Sequence, residues 1–213
     1  MKRNWKDIKW IFEQDGALRD IYVQEVSLND WRKVIDLINE KYKVYYGDTG
    51  EYKDTNKINK DYVIEYLTDK TGEIESKSAL IALGKIRINC HFFLEDQIEF
   101  DIDPKEVNSI EEFELIEEFM LEISKSIDNQ ITLTDENNPI FPLIKIDANR
   151  EINKILTEEE VKEYLENPNS FISKMKLFKM KLEMKLSPNR IKEKILKSAS
   201  EPYESTKKDE NVW

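Results

Sequence analysis

An alternation of apolar and polar residues over positions 79–102 constrains the fold of this chain more than any other feature. Such alternation is typical of a β-strand with one buried face, because successive side chains of a strand point to opposite sides. It occurs three times, and Gly84-Lys85 and Glu95-Asp96 separate the three runs. We therefore expect an antiparallel meander of three strands with one apolar face. Its apolar positions are Ala79, Ile81, Leu83, Ile86, Ile88, Cys90, Phe92, Ile98, Phe100 and Ile102.

Four amphipathic helices are predicted by capping residues that precede apolar residues at helical spacing. In three of them a serine or threonine is followed three residues later by an acidic residue, which is the pattern of a capping box. These pairs are Ser27 and Asp30, Ser109 and Glu112, and Thr157 and Glu160. The fourth and shortest helix is expected to begin after Asn59.

Further short strands are predicted outside the meander. Asp15-Gly16 predicts the turn of an N-terminal hairpin over residues 10–23, because both residues accept the positive φ angles of such a turn. The polar stretch 47–57 is expected to be a loop. The other predicted strands cover residues 44–46, 131–133 and 143–146. The elements together predict an α+β fold with a mainly antiparallel, curved sheet covered by amphipathic helices on one face, and a C-terminal helical appendage.

The character of the sequence changes after residue 148, which predicts three parts. Residues 1–148 are expected to form an acidic α+β domain and residues 149–200 a basic helical appendage. Residues 201–213 are polar and are expected to be a disordered tail.

Charge is unevenly distributed along the chain, which carries 33 basic and 44 acidic residues and a net charge of −11. Residues 171–197 hold nine basic residues and, as acidic residues, Glu183 and Glu193 alone, so the rest of the chain is strongly acidic. An acidic body repels a phosphate backbone. We therefore expect no nucleic-acid ligand, and a basic protein is the natural complement. The start of the chain lacks the apolar run of a signal peptide, and no run is long enough for a transmembrane helix, so a cytoplasmic protein is expected.

Cysteine and histidine chemistry is narrowly limited in this sequence. Cys90 is the single cysteine and His91 the single histidine, which excludes an intrachain disulfide and a multi-histidine metal site. Neighbouring residues of a strand face opposite sides, so these two cannot act as nucleophile and base together. The sequence also lacks the common phosphate-binding, dinucleotide-binding and nucleophile-elbow motifs. We expect neither enzymatic activity nor a cofactor.

Carboxylates alternate along the third strand of the meander. Clustered oxygens suit a divalent cation, but neighbours on one face of a strand lie roughly 6.5–7 Å apart, too far to share a metal unless the chain bends. The solvent side of an edge or half-covered strand and an acidic patch for a partner are the other interpretations. Three tyrosines in or beside the polar stretch are the best aromatic candidates for a contact surface. The predicted partner-binding residues are Tyr45, Tyr46, Tyr52, Asp96, Glu99, Asp101 and Asp103.

A basic, methionine-containing segment at residues 171–197 has apolar stripes at helical spacing. It could dock on the acidic body of its own chain, bind in a groove of a partner or lie on an anionic membrane surface. Self-docking is favoured because the complementary charge is already present, and membrane binding is the least favoured. The residues that carry the pattern are Lys174, Lys176, Phe178, Lys179, Met180, Lys181 and Lys185.

These observations favour a non-catalytic protein that neutralises a basic partner, such as a toxin or nuclease domain, through an acidic surface. Small acidic bacterial immunity proteins work in this way, and the comparison is one of general type because no motif in this sequence is diagnostic of them. The alternatives are a metal-dependent hydrolase that uses the carboxylates between Asp96 and Asp103, and a membrane-peripheral or scaffold protein that acts through residues 171–197.

Overall fold

The computed structural model describes residues 4–48, 51–53, 57–139, 141–149 and 152–166. Met1–Glu158 form one compact unit and Glu159–Trp213 a second, of which the structure describes the residues up to 166. The predicted appendage beyond residue 166, its basic segment and the predicted disordered tail therefore lie outside the described residues.

The described residues of the first unit form an antiparallel sheet of nine strands, which confirms the α+β class. Their order across the sheet is β3-β2-β4-β5-β6-β1-β7-β8-β9. The strands are β1 (Arg19–Gln24), β2 (Lys43–Asp48), β3 (Glu51–Lys53), β4 (Lys77–Leu83), β5 (Ile86–Leu94), β6 (Gln97–Ile102), β7 (Ile131–Asp135), β8 (Pro142–Asp147) and β9 (Ile152–Ile155). The curvature predicted for this sheet stays a prediction.

The described part of the chain contains five α-helices. They are α1 (Trp5–Ile8), α2 (Leu28–Lys41), α3 (Lys60–Thr68), α4 (Ile110–Ile127) and α5 (Glu158–Glu166), with 3₁₀ turns at Lys9–Phe12 and Pro104–Glu106. None of these helices has the length and apolar character needed to cross a bilayer.

The central meander is confirmed, and the register explains where the core lies. Ala79 is opposite Cys90, Cys90 is opposite Phe100, Phe100 is opposite Ile21, and Ile21 is opposite Leu133. All five side chains are fully buried. The row crosses β4, β5, β6, β1 and β7, so the strand that comes first in the chain lies inside the sheet and completes the apolar face.

Helices α2 and α4 cover this apolar face. Trp31 of α2 packs against Phe92 with ring centroids 5.6 Å apart, and Phe119 of α4 meets Phe100 at 5.3 Å. Apolar burial of this kind is the main favourable contribution to folding. We call the opposite side of the sheet the polar face, because its strands present mostly polar side chains there.

Three of the predicted helix caps are present, with one difference. Ser27 and Asp30 form the full capping box of α2, since each side chain accepts a hydrogen bond from the other residue's backbone N–H. Ser109 caps α4, but Glu112 accepts from the backbone N–H of Asn108 at 2.6 Å instead of closing the box on Ser109. Asn59 caps α3 as expected, by accepting from the backbone of Tyr62, and α5 follows Thr157.

The predicted N-terminal hairpin is wrong. Residues 5–12 are helical, because Asn4 caps them by accepting from the backbone of Lys6 and because Ile8, Ile11 and Phe12 recur at the spacing of one buried helix face. Buried Arg19 holds this turn on the sheet by donating to the carbonyl of Ile11 at 2.6 Å. The short apolar run at residues 10–12 suits either structure, and tertiary contacts select the helix.

Two more segments differ from the sequence prediction. The stretch expected to be a loop contains the end of β2, which runs to Asp48, and the short strand β3 paired with it. Strand β9, which the sequence did not indicate, pairs with β8 and continues the sheet to residue 155, past the domain boundary predicted at 148. Both strands are short, so their apolar pattern is too brief to be recognised before the partner strand is known.

Candidate functional site

The polar face brings ionisable residues of β1, β5 and β6 together. His91 is opposite Glu99, and Glu99 is opposite Tyr22. Two residues further along β6, Asp101 is opposite Asp20. Directly opposite residues on one face have Cβ atoms about 4.5–5.5 Å apart. The strict alternation that builds the apolar core thus also builds this group, which we call the acid–histidine cluster: Asp20, Tyr22, His91, Glu99 and Asp101.

Hydrogen bonds hold the two aspartates of the cluster in place. Asp101 Oδ2 lies 2.5 Å from His91 Nε2, and its Oδ1 accepts from Asn89 Nδ2 at 2.7 Å. Asp20 Oδ2 accepts from the Tyr22 hydroxyl at 2.8 Å and from the backbone N–H of Asn137 at 2.7 Å. Both carboxylates are therefore buried but oriented.

Among the described residues, no lysine or arginine forms an ion pair with the three carboxylates of the cluster, and the imidazole of His91 is the basic group beside them. Burial raises the pKa of Asp20 and also that of Glu99, and the charge of each adjacent acid adds to the effect on Glu99. Elsewhere the carboxylates have basic partners, as in the pairs Asp15–Arg19, Asp30–Lys33 and Glu122–Lys41. The cluster is thus a concentration of negative charge that the described chain leaves incompletely compensated.

The negative charge of the cluster changes the pKa of His91. Burial alone would lower the pKa of its imidazole, but the hydrogen bond to Asp101 and the charges of Asp101, Glu99 and Asp20 outweigh burial and raise that pKa. The imidazolium form consequently persists to a higher pH than it would in an unfolded chain.

Ser78 lies on the polar face directly across from His91, on β4. The residue is 2% exposed, and its Oγ has no hydrogen-bond partner in the part of the chain that the structure describes. Ser78, His91 and Asp101 are the residue types of a hydrolytic triad, but that mechanism needs a hydrogen bond from the hydroxyl to the imidazole. Because this bond is absent, His91 does not activate Ser78 in this arrangement. The buried hydroxyl remains an unsatisfied polar group beside the cluster.

Phe93 provides an accessible apolar edge to the cluster. Its ring stacks on His91 with centroids 4.8 Å apart and planes 8° from parallel, yet the residue is 57% exposed. The pairing of β5 with β6 shifts register between His91 and Leu94, and Leu94 is also exposed. The exposed aromatic ring, the imidazole and Glu99 are therefore neighbours at one end of the polar face.

The structure separates the four carboxylates that the sequence singled out. Glu99 and Asp101 lie in the cluster, but Asp96 lies in the exposed turn between β5 and β6, and Asp103 caps a 3₁₀ turn after β6. Strand β6 lies inside the sheet, so it is not an edge strand, and on its polar side Asp101 is buried and Glu99 half-buried. The interpretation of this side as that of a half-covered strand stays a prediction. Over the described ranges, no group of three histidine, cysteine or acidic residues could hold a metal ion.

The three candidate tyrosines are not equivalent. Tyr46 is buried in the apolar face, with its ring centroid 6.3 Å from that of Phe92, so it does not lie on the surface as predicted. Tyr45 is half-buried on the other side of β2, with Lys43 Nζ 4.8 Å from its ring centroid. The side chain of Tyr52 lies outside the described residues.

Sequence reasoning missed Asp20, Tyr22 and Ser78. Asp20 and Tyr22 do alternate with buried Ile21, which is a strand signal for one polar side. Their proximity to Glu99 and Asp101 depends on the pairing of β1 with β6, two strands more than 70 residues apart in the chain. No local pattern reveals such a pairing.

The fold and the site define an antiparallel α+β protein with a carboxylate and histidine cluster on the sheet face opposite α2 and α4. Comparisons with protein-family models, with curated proteins and with solved structures yielded no match to this chain.

Proposed function

We propose that this protein is a non-catalytic binding protein that neutralises a basic protein partner, and that the acid–histidine cluster receives a positively charged group of that partner. The observation that carries the proposal is the group of three carboxylates, Asp20, Glu99 and Asp101, for which no described lysine or arginine is a counterion. A cation from outside the chain would supply the missing charge.

The energetics of burial support a cationic ligand. A carboxylate removed from water is unfavourable unless it is paired and hydrogen-bonded. The raised pKa values of Asp20 and Glu99 reflect this cost of desolvation. A positive group that binds next to them offsets the cost, and the gain appears as binding free energy.

The outer surface of α4 supports the same kind of partner. Glu111, Glu114 and Glu118 are exposed along it. Carboxylates outside a binding site increase the rate of encounter with a basic protein through long-range attraction. On this proposal, the exposed carboxylates of α4 add long-range attraction, and the partly buried cluster on the other face of the sheet provides the contact.

The proposal places the protein with bacterial immunity proteins in type of action, and a toxin or nuclease domain is the kind of partner it fits. It includes a cytoplasmic location, a curved sheet and a basic helical appendage over residues 149–200, in which residues 171–197 dock on the acidic body.

Co-expression with the product of the adjacent reading frame tests the proposal. We expect that product to inhibit growth when expressed alone and the present chain to prevent the inhibition by binding it. The variant Asp20→Asn/Glu99→Gln/Asp101→Asn should lose protection, because it removes three charges from the cluster with little change in volume. The matched control Glu65→Gln/Glu73→Gln/Glu75→Gln removes three charges from exposed positions on α3 and just after it, and should still protect.

Two results would contradict this proposal. The first is an adjacent product that is neither toxic nor bound. The second is a cluster variant that is folded, as judged by circular dichroism, and protects as well as the parent chain.

A further inference from the structure

We infer that the acid–histidine cluster recognises an arginine of a basic peptide segment, with the guanidinium group stacked on Phe93 and hydrogen-bonded to Glu99. This inference rests on the proposed function and deepens it, because it names the side chain by which the partner is recognised.

The exposed ring of Phe93 favours arginine over other cations. One side of the ring is covered by the imidazole of His91, and more than half of the residue remains exposed. A guanidinium group is planar and more weakly hydrated than an ammonium group, and it stacks on aromatic faces. A small hydrated metal ion would make no use of this apolar edge.

Glu99 provides the carboxylate next to that ring. It is directly across from His91, and its Oε2 accepts from Gln97 Nε2 at 3.1 Å, while Oε1 has no hydrogen bond to the described residues. A guanidinium group carries its N–H donors in a fixed fork that matches a carboxylate. The half-buried position of Glu99 strengthens such a pair, because solvent screens it less than a pair on the open surface.

Ser78 is an independent sign that a ligand completes this face. Its buried hydroxyl lacks a hydrogen bond and lies on the opposite side of His91 from Glu99. The row Ser78, His91 and Glu99 crosses three strands and spans about 10 Å, since adjacent strands are about 4.8 Å apart. This row is longer than a single small cation, which favours an extended ligand such as a peptide.

His91 reports on the site because it is the single histidine of the chain. The groups around its imidazole are Asp101, Glu99, Asp20, Phe93 and Ser78. A guanidinium group beside Glu99 repels the imidazolium form, so ligand binding should lower the pH at which His91 loses its proton.

The experiment follows the ring signals of His91 by NMR in the full-length chain while a hexa-arginine, hexa-lysine or hexa-serine peptide is added. We expect hexa-arginine to shift these signals saturably and to lower the titration midpoint of His91. Hexa-lysine should bind at least about threefold more weakly, since stacking contributes roughly 0.5–1 kcal/mol at an exposed site. Hexa-serine should have no effect.

Single-residue variants assign the contacts. Phe93→Leu keeps an apolar side chain at an exposed position and should weaken hexa-arginine binding about threefold while leaving hexa-lysine binding unchanged. Glu99→Gln should weaken both peptides. Glu73→Gln makes the same charge change at an exposed position after α3 and should bind both peptides like the parent chain.

Equal affinity for the two basic peptides, or hexa-arginine binding that neither Phe93→Leu nor Glu99→Gln weakens, would overturn the inference. These results leave the growth assay under the proposed function unaffected. Conversely, the chain could bind hexa-arginine as described and fail to protect against the adjacent product. That result would support the arginine site and contradict the proposed function.

Discussion

Cys90 and His91 adjoin in the chain but have opposite environments, because alternate residues of β5 face opposite sides of the sheet. Cys90 is fully buried in the apolar face, where burial raises the pKa of its thiol and keeps it protonated. His91 lies in the polar cluster, where neighbouring carboxylates raise the pKa of its imidazole. Adjacent positions of β5 therefore hold an inert thiol on one side of the sheet and, on the other side, an imidazole that a bound ligand can contact.

At the residue scale, we expect the charge of Glu99 to lower the free energy of unfolding of the free protein. Burial raises its pKa, with Asp20 adding to the effect. A carboxyl whose pKa is higher in the folded than in the unfolded state destabilises the fold once the pH rises through its folded pKa. Glu99→Gln should therefore have a larger free energy of unfolding than the parent protein at pH 7, and the difference should vanish below about pH 4.

Urea unfolding at both pH values measures this difference. Glu114→Gln is the matched control, and because Glu114 is exposed we expect its stability to equal that of the parent at each pH. A Glu99→Gln protein less stable than the parent at pH 7 would show that its charge is compensated in the free protein.

At the scale of elements, helix α2 shows how a short local signal can be decisive. Its cap, Ser27 and Asp30, was recognisable from the sequence and is present with both reciprocal hydrogen bonds. The helix carries Trp31, which packs on Phe92 and donates to the carbonyl of Leu94 at 3.2 Å. The cap therefore supports both the core and the end of β5 that presents Phe93.

Loss of this cap should destabilise the protein measurably. Ser27→Ala removes the acceptor for the backbone N–H of Asp30 and should lower the free energy of unfolding by about 1 kcal/mol, as measured by urea denaturation. Ser27→Asn preserves an acceptor at the cap and should remain within a few tenths of a kcal/mol of the parent. Equal losses in the two variants would argue against a capping role for Ser27.

At the scale of the whole molecule, the first strand of the chain occupies the interior of the sheet. Strand β1 lies between β6 and β7, which follow it by more than 70 and 100 residues. This non-local pairing joins the meander to the strands β7, β8 and β9 and carries Asp20 and Tyr22 to the cluster. The stability of the site thus depends on the closure of the complete sheet.

Amide hydrogen exchange should follow this arrangement. We expect the amides of Ile21 and Tyr22 in β1 to exchange at rates set by global unfolding, because at these residues the strand is paired with β6 on one side and β7 on the other. Amides of β3, at one end of the described sheet, should exchange through local opening and much faster. Exchange of β1 as rapid as that of β3 would contradict the central position of this strand.

Much of the fold could be predicted because its signals are local. The alternation over residues 79–102 and the helix caps are signals that act within a few residues. They predict the meander and the helices that begin after the caps Ser27, Asn59 and Ser109. The errors occur where local signals are weak. Residues 5–12 pack as a helix because Arg19 and the core select that structure, and β3 and β9 are strands because a partner strand pairs with them.

The sequence by itself determined which residues of each strand share a side, because strand periodicity is a property of the backbone alone. It therefore determined that Glu99 and Asp101 share one side of β6. It also determined that Cys90 and His91 face opposite sides of β5. Tertiary structure alone decided which strands are neighbours, since pairing between distant segments depends on closure of the whole sheet. That decision placed Asp20 opposite Asp101 and made a cluster out of carboxylates that lie far apart in the chain.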